Sequence, residues 1–164
     1  MDKQLLVLHL GSNMGNRIDY LNKALKLLEL EFGKALKISS IYETKAWGNN
    51  NQPDFLNLAA IYETAISPQT ILKTIKKLET EIGRKTRENW HEREIDIDII
   101  FYGNEIVKEL NLEIPHAQIP NRRFVLVPLN EICPEYIHPL FNKTVAELLK
   151  EVNDNLTVEK WNKS

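Results

Sequence analysis

The chain has a single cysteine, Cys133, so it can form no internal disulfide and offers no multi-cysteine zinc site. Cys133 precedes Pro134 in an apolar context and reads as a small buried residue. Long hydrophobic runs are missing too. The apolar stretch Leu5–Leu10 is interrupted by His9 and stopped by Gly11, too short to span a membrane and without a secretory cleavage signature. There is no excess of positive charge: 21 Lys and Arg face 23 Asp and Glu, a net charge of −2. A generic nucleic-acid binder carries a basic surplus, so that class is disfavoured. Glycine (6) and proline (7) are scarce while 27% of residues are charged, which excludes disordered and fibrous classes. The common nucleotide cradles are absent, with no Gly-x-Gly-x-x-Gly and no Gly-rich loop ending in Gly-Lys-Ser/Thr. The serines lack a Gly-x-Ser-x-Gly setting. His9, His91, His116 and His138 show no paired metal-ligand spacing, and His9 and His138, in apolar surroundings, read as core histidines. What is present is a 164-residue chain that is 43% hydrophobic. That is enough for one well-packed core, and a single cytoplasmic domain over residues 1–164 is expected.

Leu5–Leu10 reads as a buried strand ended by Gly11-Ser12-Asn13. Asn16 is an N-cap for a helix in which Ile18, Leu21, Leu25, Leu28 and Phe32 recur at helical spacing, with Gly33 as its stop. Lys37–Tyr42 forms a second strand, Thr44–Asp54 a loop, and Phe55–Glu63 a third strand. Ser67-Pro68 opens a second helix, with Ile71, Ile75, Leu78 and Ile82 on one face and Gly83 at its end. A basic loop over Arg84–Arg93 leads to the clearest strand, Ile95–Tyr102. The tail holds short extended pieces, several prolines and one further helix opened by the capping box Thr144-Val145-Ala146-Glu147. Val158 and Trp161 suggest that the segment beyond Asn153 packs on the domain. The order strand, helix, strand, strand, helix, strand, with both amphipathic helices on one face, is the ferredoxin-like βαββαβ arrangement of an α+β fold.

Within Ile95-Asp96-Ile97-Asp98-Ile99 the two aspartates share a face, about 7 Å apart along the strand, and the isoleucines take the other. Adjacent carboxylates repel, and a divalent cation or a basic partner relieves them. Magnesium suits such a pair, because it takes one or two carboxylates and fills its shell with water and phosphate oxygens. The plain alternative is a solvated acidic strand face. Arg84–Arg93, just upstream, carries four permanent cations against two acids, and Pro115-His116 and Asn121-Arg122-Arg123-Phe124 add donors downstream. An acidic pair between two basic segments suits a metal-bound polyphosphate. In the first loop Trp47, Phe55 and Asn57 could sandwich a flat heterocycle and read its polar edge, or the aromatics could simply pin a long loop.

Several motifs occur together in one order: Gly11-Ser12-Asn13, Gln52-Pro53-Asp54-Phe55-Leu56-Asn57, Gly83-Arg84, Trp90–Arg93 with Ile95-Asp96-Ile97-Asp98, and Pro115-His116 with Asn121-Arg122. From Leu5 to about Leu149 the chain thereby resembles 6-hydroxymethyl-7,8-dihydropterin pyrophosphokinases of folate biosynthesis. The resemblance implies a ferredoxin-like enzyme that moves pyrophosphate from ATP to the pterin hydroxymethyl group and releases AMP; a monomer is expected. It implies two Mg2+ ions on Asp96 and Asp98, and Arg84 and Arg93 on the transferring group. It also implies Glu79, Trp90, His116 and Arg122 on ATP, and Thr44, Trp47, Phe55, Asn57 and Phe124 around the pterin. Neither a nucleic acid nor a membrane is expected as a partner. Many members have Arg-Trp-Gly-Pro-Arg where this chain has Asn89-Trp90-His91-Glu92-Arg93, which leaves Lys85 or Arg87 to supply the missing phosphate contact. Two rivals remain on residues alone: an RNA- or nucleotide-binding module on the same fold, and a metal-dependent phosphohydrolase.

Overall fold

Leu6, Leu8 and Leu10 alternate with Val7, His9 and Gly11 along β1 (Gln4–Ser12), and both sets are buried. A strand buried on both faces belongs in the middle of a sheet with a layer on each side. The computed structural model describes residues 2–44, 54–84 and 94–161 and places β1 there. It pairs antiparallel with β4 (Phe55–Thr64) on one side and β5 (Asp96–Tyr102) on the other. Beyond β4 lie β3 (Tyr42–Thr44) and then β10 (Val158–Lys160), giving the order β10-β3-β4-β1-β5. The core order β3-β4-β1-β5 is ferredoxin-like. The tail does pack on the domain, as Val158 and Trp161 suggested, by adding the strand β10 to that core.

The expected strand Lys37–Tyr42 is broken. β2 (Lys37–Ile38) and β3 both pair with β4, and between them Ser39 and Ser40 bind differently. The Ser39 hydroxyl accepts from the Ala59 amide at 2.9 Å, and the Ser40 amide donates to the Glu131 carboxylate at 3.0 Å. Serine side-chain bonds of this kind compete with the regular ladder.

One face carries α1 (Arg17–Phe32) and α2 (Pro68–Ile82), started by Asn16 and Ser67 and stopped by Gly33 and Gly83 as expected. Leu21, Leu28, Ile71, Ile75 and Leu78 pack there on Leu6, Leu8, Leu10, Ile97 and Ile99. The opposite face is covered by a layer of which the sequence pattern revealed only the shorter helix. α3 (Arg123–Ile132) places Val125, Leu126, Leu129 and Ile132 against Val7, Ala59, Ile61 and Phe101, with α4 (Val145–Glu151) beside it. The sequence hides α3, because Pro128 lies inside the helix and has no N–H to offer the Phe124 carbonyl four residues back. Burial of four large apolar side chains outweighs that loss, at roughly 1.5–3 kcal/mol each. The capping box of α4 forms as its sequence predicts. Two small hairpins, β6 (Val107–Glu109) with β7 (Leu112–Ile114) and β8 (Ile137–His138) with β9 (Lys143–Thr144), complete the described chain. His138 is a core histidine, its Nδ1 accepting from the Leu140 and Phe141 amides. Cys133 is only partly buried, and desolvation pushes its thiol up to about 11. Among the described residues no helix is long and apolar enough to cross a membrane.

Candidate active site

Asp96 and Asp98 open β5, directly across from Gly11 and His9 of β1. Ile95, Ile97 and Ile99 are buried beneath α1 and α2, so both carboxylates project from the other face, at the edge where α3 begins. Glu79, near the end of α2, reaches the same strand from below. It is 3% exposed, and its Oε2 accepts from the Ile97 amide at 2.8 Å, between the two aspartates. Burial first, and then the Asp96 charge, raise the Glu79 carboxyl above its ordinary range. Asp98 is raised well above the usual carboxylate range by burial, Asp96 and Glu79 together. Three acids thus crowd one short segment, and among the described residues Arg84, Lys76 and Arg122 are cations that face them. Arg84 follows Gly83, and its Nη2 lies 3.8 Å from Asp96 Oδ1. The Arg84 Nε is buried with no hydrogen-bond partner among the described residues. His116 is held by its amide on the Ile100 carbonyl, and burial and Arg122 lower its pKa, so it is neutral at pH 7.

Gly11 separates this acidic pair from a second group. In register it faces Asp96 on one side and Asn57 of β4 on the other, so the three share one row of the sheet. A Cβ at Gly11 would stand 3.1 Å from Asn57 Oδ1 and 3.5 Å from the Phe55 ring. The missing side chain therefore leaves the sheet surface open between the aspartates and the amide, over two strand spacings or about 10 Å. Asn57 is 1% exposed, yet neither its Oδ1 nor its Nδ2 has a hydrogen-bond partner among the described residues. A buried amide is normally satisfied, so this one is set up to bind something else. Phe124 lies at the start of α3, with the Arg122 guanidinium 5.7 Å from its ring centre. Thr44 ends β3 opposite Phe55, but its hydroxyl donates to the Thr157 carbonyl at 3.1 Å. Of the residues singled out in the sequence, Glu79, Arg84, Asp96, Asp98, His116, Arg122, Phe55, Asn57, Thr44 and Phe124 lie on or beside this end of the sheet. Trp47, Lys85, Arg87, Trp90 and Arg93 fall outside the described residues.

A family model for 7,8-dihydro-6-hydroxymethylpterin-pyrophosphokinase matches residues 7–134, most of the chain and all of this site. The chain belongs to that family. A 2-amino-4-hydroxy-6-hydroxymethyldihydropteridine pyrophosphokinase of Aquifex aeolicus is 47% identical over 144 residues, 88% of this chain and 89% of the relative. One of Haemophilus influenzae is 38% identical over 151 residues, covering 92% and 94%. The fold also matches wild-type HPPK-DHPS of Plasmodium falciparum, with a TM-score of 0.73 at 20% identity over 91% of this chain. This chain spans 44% of that longer protein.

For a divalent ion, the pyrophosphokinase offers Asp96 and Asp98. Their hard oxygen donors fit Mg2+, and burial followed by the Asp96 and Glu79 charges raises Asp98, a crowding of charge that a cation would relieve. Among the described residues no three or more His, Cys, Asp or Glu side chains are grouped to hold a metal. An ion on the pair would therefore draw the rest of its shell from phosphate oxygens and water.

His9 is the site residue that sequence reasoning placed only in the core. It is buried as expected, but it stands directly across from Asp98, and its ring meets Phe124 edge-on at 5.8 Å. Its Nε2 lies 3.3 Å from the Phe124 carbonyl, the one that Pro128 cannot serve. A carbonyl only accepts, so Nε2 carries the hydrogen. The signal was present in the spacing of Phe124 and Pro128, but its partner on β1 is 115 residues away.

Burial lowers the His9 pKa from 6.5 to about 4. At neutral pH the imidazole is uncharged in both the folded and the unfolded chain, and His9 has no effect on stability. As pH falls below 6.5 the unfolded chain takes up this proton first, so stability declines down to about pH 4, by at most about 3 kcal/mol. His9→Gln keeps an N–H donor and cannot titrate. Thermal melts from pH 7 to pH 4 are expected to show a shallower fall for this variant, and an unchanged slope would contradict the assignment. His116, also depressed, leaves part of the acid sensitivity in place.

Proposed function

We propose that this chain transfers the β,γ-pyrophosphoryl group of ATP to the hydroxymethyl oxygen of 6-hydroxymethyl-7,8-dihydropterin, releasing AMP, as a step of folate biosynthesis. A P–O bond forms between that oxygen and the β-phosphorus, the bond from the β-phosphorus to the α,β-bridging oxygen breaks, and the hydroxyl proton is released. One observation supports the reading: the row Asp96–Gly11–Asn57 has a carboxylate on one side of an open strip of sheet and, on the other, an amide without a partner among the described residues.

Asn57 would read the polar edge of the pterin, with aromatic side chains among Trp47, Phe55 and Phe124 stacking on its ring and Thr44 completing the pocket. Arg84, Arg93 and Arg122, joined by His116, Glu79 and Trp90, would hold the triphosphate, the guanidinium groups lying where charge builds on the transferring group. Asp96 and Asp98 would hold Mg2+, two ions on this reading, which when bound neutralises phosphate oxygens and orients them for in-line displacement. Glu79 supports this arrangement by bracing the Ile97 amide between the aspartates. We place the enzyme in the cytoplasm as one pterin pyrophosphokinase domain over residues 1–164, acting as a monomer without nucleic-acid or membrane partners.

Incubation with ATP, Mg2+ and the hydroxymethyl pterin is expected to yield AMP only when pterin is present. Pterin-independent release of phosphate or pyrophosphate would instead mark a phosphohydrolase. Absence of turnover with steeply salt-dependent binding of single-stranded RNA would mark an RNA module.

A further inference from the structure

We propose that residues 154–161 form a strap that positions the pterin side of the site, with Asp154 as its fixing residue. The proposal rests on the reading above and adds to it a group that touches neither substrate. α1, α2 and α4 are each capped by the side chain of their own preceding residue, Asn16, Ser67 and Thr144. α3 is not: its N-cap position is Arg122, which makes no side-chain cap bond. The first amide of α3 is served from the tail, where Asp154 Oδ2 accepts from the Arg123 N–H at 3.1 Å. A carboxylate there also suits the positive end of the helix dipole. The other oxygen of Asp154 accepts from the Leu156 amide at 2.9 Å, which fixes the carboxylate in its own turn.

From that turn the strap runs to the opposite wall. The Thr157 carbonyl accepts from the Thr44 hydroxyl at 3.1 Å, Val158 pairs with Thr44, and Lys160 pairs with Tyr42. The Trp161 amide then donates to the Ile41 carbonyl at 2.8 Å, and its side chain packs on the core. One short segment therefore ties the start of α3, which carries Arg122 and Phe124, to the end of β3 at Thr44. Asp154 thus acts through Phe124, the residue after the amide it caps, as a positioning residue.

The test compares pterin KM, kcat and amide exchange across variants of the full chain. Asp154→Ala is expected to raise pterin KM about tenfold with kcat within threefold, matching the loss of one helix cap. Asp154→Asn retains an acceptor for the Arg123 N–H and is expected to recover most of that loss. Hydrogen exchange at Arg123 and Phe124 is expected to speed up about tenfold in the alanine variant. A wild-type pterin KM, or activity reduced only in proportion to the folded fraction, overturns the proposal, as does an asparagine variant that behaves like alanine. Should Asp154→Ala fail to fold, Asp154→Glu keeps the charge and displaces it by one methylene. A raised pterin KM in that folded variant supports the strap, and an unchanged one overturns it. Failure of the wild-type protein to form AMP would sink the pyrophosphokinase reading alone, because the exchange measurement judges the strap without catalysis.

Discussion

Asp98→Asn is expected to lower turnover about a thousandfold while leaving the protein as stable as the wild type or more so. The loss follows from charge: an amide cannot hold a divalent ion against phosphate oxygens, and in-line transfer depends on that neutralisation. The stability half has the opposite sign because Asp98 sits with Asp96 and Glu79 in a partly desolvated corner, which raises its pKa. A carboxyl with a higher pKa folded than unfolded loses stability as pH rises past its ordinary value, so at neutral pH the ionised group works against folding. Asparagine removes that penalty. Asp96→Asn should reduce turnover similarly but gain less stability, since it gives up the 3.8 Å ion pair with Arg84. Steady-state kinetics beside thermal melts measure both halves. Near-normal turnover in either variant would refute the metal role of the pair.

The second large effect is expected at Asn57. Asn57→Leu should weaken pterin binding a hundredfold or more, because a site built to hydrogen-bond a ligand loses far more than one contact when its polar group is replaced. The ligand-free protein should be at least as stable as the wild type. The amide is 1% exposed and has no partner among the described residues, so it costs stability that a leucine of the same branching does not. Binding and stability are expected to move in opposite directions, the signature of a group kept for its ligand. Fluorescence titration with the pterin and denaturant melts without it check the two arms. Unchanged affinity would remove Asn57 from the pocket, and a large loss of stability would show that the amide is satisfied within the fold.

Most of the architecture was legible because local rules set it. Asn16, Ser67 and Thr144 announce helix starts by chemistry that works within four residues, and Gly33 and Gly83 announce stops the same way. Alternation along Ile95–Ile99 was enough to put Asp96 and Asp98 on one face, because a strand has no other option. The failures were of another kind. α3 reads as non-helical, since Pro128 and neighbouring β-branched residues oppose the helix locally while the cluster with Val7, Ile61 and Phe101 supports it from elsewhere. At the break after Ile38, Ser40 leaves the ladder for Glu131, 91 residues away in the chain. His9 looked like any core histidine until its ring was placed across from Asp98 and on the Phe124 carbonyl.

By itself the sequence determined the order of the βαββαβ core, the shared face of the acidic pair and, through its ordered motifs, the family. Those properties rest on short-range periodicity, capping and residue identity, all of which are written along the chain. Only the tertiary structure decided that Gly11 opens the sheet between Asp96 and Asn57, that Glu79 braces β5 from below, and that Asp154 caps a distant helix. Each of these joins residues from separate elements, and strand register and packing fix such contacts only once the whole sheet has formed.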